Sequence, residues 1–184
     1  MKSNLDKVNN YISNLNFQKG FFVNGKEYKN ITDRDQKVVW RMQPMDVIMK
    51  YKLITSVEYA FVVSEFCKEH LIDNYVIGVS SECNYEKKSN IYPVIRNRYG
   101  YRVLNAVPFE SPFIEDVIEH MTLRVLSSPY TSKAHGGIIT NLYDFVNLSY
   151  SMFSAKLESN LKNIIHFPYK EDVKDILNLY RKFV

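Results

Sequence analysis

Cysteine is scarce in this chain: Cys67 and Cys83 are the only two among 184 residues. Two thiols cannot build a disulfide framework, and without a CxxC or a Cys/His cluster at zinc spacing they exclude a structural zinc module. Six glycines and six prolines fall far short of linker or fibrous composition. Apolar runs such as Ala60 to Val63 are much too short to cross a bilayer, so no membrane partner is expected. The opening residues MKSNLDKVNN lack the apolar centre of a signal peptide, and a cytoplasmic protein is expected. Charge of one sign is also missing, since 24 Lys and Arg against 20 Asp and Glu leave a net charge of +4. The basic residues fall in short groups (Lys87-Lys88; Arg96, Arg98, Arg102) rather than on one long face, so a nucleic-acid partner is not expected. Aromatics are what the chain has in plenty: fourteen Tyr and eleven Phe beside a single Trp, enough for a well-filled interior at this length.

Hydrophobic spacing outlines the elements. Leu5, Val8, Ile12 and Leu15 recur at three and four, the period of an amphipathic helix. Asn24-Gly25 between Phe21 and Tyr28 signals a tight turn. Residues 33 to 52, with Val38, Val39, Met42, Met45, Ile48 and Met49, read as helical pieces broken at Pro44, with Gln43 as the boundary. Thr55-Ser56 precedes a strong helix through Ala60, Val63, Phe66, Cys67 and Leu71. Ser56 suits a helix N-cap, Glu58 suits the positive end of the helix dipole, and Cys67 falls on the apolar stripe as an inert buried thiol. Tyr75 to Val79, Ile91 to Arg96 and Tyr101 to Val107 are β-type runs. The first two are separated by a polar loop, Ser80 to Asn90, and the last two are joined in a hairpin with Gly100 at a positive φ. Helical spacing returns from Phe113 to Val125 and, after a flexible stretch from Ser127 to Gly137, runs from Leu142 to Ile164. A last helix carries Val173, Ile176 and Leu177 beyond a stop at Pro168. The expected class is α+β: a helix packed on a small antiparallel sheet, with added C-terminal helices.

The order of elements from about residue 17 to 126, and the stretch Gln43-Pro44-Met45-Asp46 through Thr55-Ser56-Val57-Glu58, resemble bacterial transglutaminase-like proteins of the papain-like cysteine-hydrolase fold. The resemblance implies a core over residues 1–126 and a C-terminal helical extension over 127–184. It also implies where a catalytic triad would fall: Ser56 stands at the cysteine position, Tyr92 or Pro93 at the histidine and Asn105 at the orienting residue. Serine needs a strong base that a helix dipole does not replace, and neither Tyr92 nor Pro93 is one. The expectation is therefore a catalytically degenerate protein, a pseudoenzyme that binds or scaffolds a protein or peptide partner. The alternative is a peptide or acyl-amide hydrolase or acyltransferase using Ser56 or Cys83. Arg96 and Arg98, on alternating hairpin positions, are candidate ligands for a phosphate or carboxylate. His70, His120, His135 and His166 show no metal spacing, and His135-Gly136-Gly137 lacks a phosphate-loop context. No cofactor or metal is expected.

Overall fold

The computed structural model describes residues 2–167 and 169–183. Ser3 opens the chain's first helix, α1 (Asn4–Leu15), through a reciprocal capping box with Asp6. Strand β1 (Gln18–Lys19) leads into the hairpin β2 (Phe21–Val23) and β3 (Lys26–Tyr28). Its turn is the expected Asn24-Gly25, with both residues at positive φ (51° and 75°), as a hairpin twisted to match its strands requires. Two short helices follow, α2 (Asp33–Val38) and α3 (Met45–Tyr51), the second starting directly after Pro44. The tiny strand β4 (Leu53–Ile54) pairs in parallel with β1 and delivers the chain to α4 (Ser56–Glu69). The hairpin turn, the break before Pro44 and the helix after Thr55 agree with the spacing read from the sequence, whereas residues 39–44 between α2 and α3 are not helical and Leu71, exposed at φ 53°, lies beyond the end of α4.

The main sheet begins with β5 (Asn74–Cys83) and β6 (Glu86–Asn97), one long hairpin, followed by β7 (Gly100–Val103), β8 (Glu110–Ser111) and helix α5 (Ile114–Leu126). Strand β9 (Thr131–Ile139), a 3-10 turn at Leu142–Phe145, helix α6 (Tyr150–Ser159) and strand β10 (Leu161–Phe167) come next. A second 3-10 turn, Lys170–Val173, and helix α7 (Lys174–Phe183) complete the described chain. The six strands lie in the order β10-β9-β5-β6-β7-β8, and every neighbouring pair is antiparallel. Mixed α+β architecture, with seven α-helices among the described residues, is therefore observed.

Three expectations are corrected. The polar loop at Ser80 to Asn90 is strand on both sides of the two-residue turn Asn84-Tyr85. Ser80 and Ser81 are buried there, where strand pairing on both sides satisfies a polar backbone that hydrophobicity alone does not reveal. The flexible stretch from Ser127 to Gly137 is mostly strand β9, with His135 paired to Ser80. Gly136 is required there by close packing, because a Cβ would come within 2.1 Å of Thr122 Oγ1 on α5. The continuous helix from Leu142 to Ile164 is broken into a 3-10 turn, α6 and β10, with Asn147 at φ 66° in the break. Residues 127–184 thus contribute two strands to the main sheet as well as helices. The stop placed at Pro168 lies outside the described residues.

Alternation along β5 divides the core. Val76 and its neighbours pack with α4, α6 and Phe21, whereas Ile77 and Val79 pack with Val117, Ile118 and Met121 of α5. The sheet is consequently covered on both faces. The side with α4 also carries Trp40, Ile91, Phe145 and Phe153. At the far end of that side Phe66 and Cys67 meet Val8 of α1 and Ile95.

Candidate functional site: the groove at the start of helix α4

The start of α4 is held by a buried acid. Glu58, in the first helical turn, is fully buried. One of its oxygens, Oε2, accepts from the Thr55 backbone N–H at 3.0 Å and from the Thr55 hydroxyl. The other, Oε1, accepts from Trp40 Nε1–H at 3.1 Å and from the Gln43 N–H at 3.3 Å. Gln43, also buried, accepts the Phe22 N–H at 2.6 Å through its side-chain oxygen. A single carboxylate therefore ties the extended segment 40–43 to the helix start. Burial pushes the Glu58 carboxyl above its ordinary value, the hydrogen bonds from Thr55 and from backbone N–H groups, that of Gln43 among them, pulling the other way with less effect.

This network moves the cap. Thr55, not Ser56, is the N-cap residue, with extended backbone and Glu58 as its capping-box partner. Ser56 is the first helical residue and is exposed. The cap reading of Ser56 is thereby corrected: a cap needs extended backbone, and the helix starts one residue earlier than expected.

Two hollows meet at this point. The first, of about 260 Å³, is walled by Asp33, Lys37, Trp40, Ser56, Lys88 and Ser89, with Tyr150 and Phe153 behind. The second, of about 470 Å³, is walled by Phe17, Ile54, Ser56, Tyr59 and Asn105. Gln36, Thr55 and Ser56 belong to both, so one groove wraps the start of α4.

Among the residues singled out from the sequence, Ser56 and Asn105 come together in this groove. The Leu104 N–H donates to the Pro93 carbonyl at 2.9 Å, and Asn105 then turns off at φ 57°. Tyr92 does not join them: it packs into the cluster on the α5 side of the sheet. Cys83 is buried at the end of β5, opposite Glu86 and Thr131, and lines neither hollow. Arg96 lies over the Tyr101 ring at 4.7 Å, while Arg98 sits in the two-residue turn over Tyr99 at 5.3 Å. The two arginines thus stack on different rings, and Arg98 is not on a strand. No histidine or cysteine is among the lining residues of either hollow. His135 and His166 instead face each other across β9 and β10, with ring centroids 5.6 Å apart.

No family model and no curated protein matches this chain. The groove must accordingly be read from its own chemistry. Its walls offer a hydroxyl (Ser56), amides (Gln36, Asn90, Asn105), lysines (Lys37, Lys88) and aromatic faces (Trp40, Tyr150). That set suits hydrogen bonding and charge pairing with a ligand; a nucleophile further needs a base within hydrogen-bond reach. Sequence reasoning missed Trp40, Lys88, Ser89 and Asn90 as site residues. The last three were hidden in the supposed loop, and the Asn84-Tyr85 turn was the signal that could have exposed them.

Proposed function

We propose that the groove at the start of α4 is a non-catalytic binding site, and that the chain is a degenerate transglutaminase-like protein whose groove takes a protein or peptide partner. The observation that carries this reading is the setting of Ser56. It stands exposed at a helix start, as a nucleophile would, yet neither hollow beside it is lined by an imidazole or a thiol. A serine hydroxyl without such a partner donates and accepts hydrogen bonds but does not attack a carbonyl at useful rates. The buried placement of Cys83, away from the groove, speaks against a displaced thiol nucleophile. The test is labelling of the full chain with a fluorophosphonate and with iodoacetamide, read by peptide mass spectrometry. Neither Ser56 nor Cys83 should react faster than it does in a short unstructured peptide. Fast, selective modification of either residue would make the protein an enzyme and overturn the proposal.

A further inference from the structure

The first hollow has an unusual position relative to the sheet. Successive side chains of a strand point to opposite faces, yet the consecutive residues Lys88, Ser89 and Asn90 of β6 all line it. A space bordered by both faces of one strand lies off that strand's edge, where a further strand would run. Backbone parity agrees. The Arg96 N–H donates toward β5, to the Asp73 carbonyl at 2.7 Å, while the Pro93 carbonyl faces the other way and accepts from Leu104. Residues 87, 89 and 91 share the parity of Pro93 and turn their N–H and C=O groups away from β5. Strand β7 pairs only with residues 94–97 of β6, so this stretch has no second strand partner among the described residues. Ile91 is covered, at 3% exposure, whereas Ser89 is half-buried and Lys87 exposed. The open edge therefore runs from Glu86 to about Asn90.

Charge selects the occupant. Lys37 pairs with Glu86, and Lys87 pairs with Glu158. Lys88, on the wall of the hollow, makes no ion pair within 4 Å of any described residue; its charge acts at longer range on Glu86, which Lys37 already pairs, and Asp33 is the carboxylate lining the same hollow. We infer that β6 is a docking edge for an extended peptide carrying a carboxylate side chain, which adds a strand beside residues 86–90 and pairs its carboxylate with Lys88. The inference rests on the binding reading of the groove and names its ligand class. Strand addition uses the unpaired backbone groups of Lys87 and Ser89, which only an extended chain matches, and the hollow takes one of its side chains.

The probe is a pool of acetylated, amidated heptapeptides with glutamate fixed at the centre and the other positions degenerate, added to the isotope-labelled full chain and followed by amide NMR. Saturable shifts are expected at the Lys87 and Ser89 amides together with those of Ser56 and Val57. A matched pool with central glutamine, and Lys88→Ala with the glutamate pool, should each weaken binding by about fivefold or more. Ser89→Pro removes one outward N–H while leaving the ladder to β5 intact, and should weaken binding similarly. Lys88→Ala remains the deciding variant should Ser89→Pro fold poorly. Shifts confined to Ser56, Val57 and Trp40, or equal binding of the two pools, would overturn strand docking while leaving a binding groove in place. No shift with either pool would overturn it too, and the labelling experiment judges the non-catalytic reading separately.

Discussion

Replacing Glu58 with glutamine tests the pin that holds the groove. Glu58 holds four hydrogen-bonding contacts, two on each oxygen, and in the protonated form that burial favours its Oε2 hydroxyl can donate to the Thr55 hydroxyl while still accepting the Thr55 N–H. A glutamine amide offers one acceptor oxygen and one NH₂ donor. With the NH₂ on the Thr55 side, the Thr55 hydroxyl can rotate to accept from it, and the Thr55 backbone N–H is stranded. The opposite orientation strands both Trp40 Nε1–H and the Gln43 N–H. Turning the amide the cheaper way leaves one buried donor unsatisfied, a cost of about 1–3 kcal/mol. Urea unfolding followed by emission of Trp40, the single tryptophan, reads this directly. The pH dependence adds a second constraint. Burial sets the folded carboxyl above its ordinary value of 4.5, so the group's contribution to stability is fully present below that pH and is lost as pH rises through the raised value. The gap between wild type and Glu58→Gln should thus be widest near pH 4.5 and narrow toward neutrality. A variant within about 0.5 kcal/mol of wild type throughout, or a gap that widens with pH, would refute the network as described.

The cap assignment gives a paired prediction: by urea unfolding, Thr55→Ala should lose about 1–2 kcal/mol and Ser56→Ala less than about 0.5 kcal/mol. The Cys67 thiol, buried and pushed up to about 12, should react with a disulfide reagent at pH 8 only as fast as the protein unfolds, checked by comparing its rate with and without urea. Ser56→Cys combined with Tyr92→His should release no amine from a peptide amide in a fluorogenic assay, because position 92 faces the α5 side of the sheet.

Local signals were legible where the chemistry is local. The spacing of Leu5, Val8, Ile12 and Leu15, Asn24-Gly25, Pro44, and the apolar stripe of α4 each announce an element within a few residues. The second half of the sheet was not, because its strands carry little apolar alternation. Ser80 and Ser81 are buried through pairing with residues more than fifty positions away, and Gly136 looks like loop until α5 is laid against it. The groove divides the same way. Ser56 at a helix start is written in the sequence, but the walls from α2 and the edge of β6 arise from long-range packing. Tyr92 shows how narrow the margin is, since a shift of one residue along a strand exchanges the two faces of the sheet.

Strand β5 lies between a partner that follows it at once and one that arrives much later. Strand β6 comes after a two-residue turn, but β9 starts only at Thr131 and is itself flanked by β10, from Leu161. As the chain leaves the ribosome, the β5–β6 hairpin and α4 can meet early, leaving the other edge of β5 bare until about forty more residues, through the end of β9, have emerged. Closing that long loop makes β9 insertion a slow, late step. Until it happens, Val76 to Cys83 presents an unpaired edge of the kind that joins neighbouring chains. Folding yield should therefore fall with protein concentration during refolding, and the interval before β9 docks is when this protein is most exposed to misassembly.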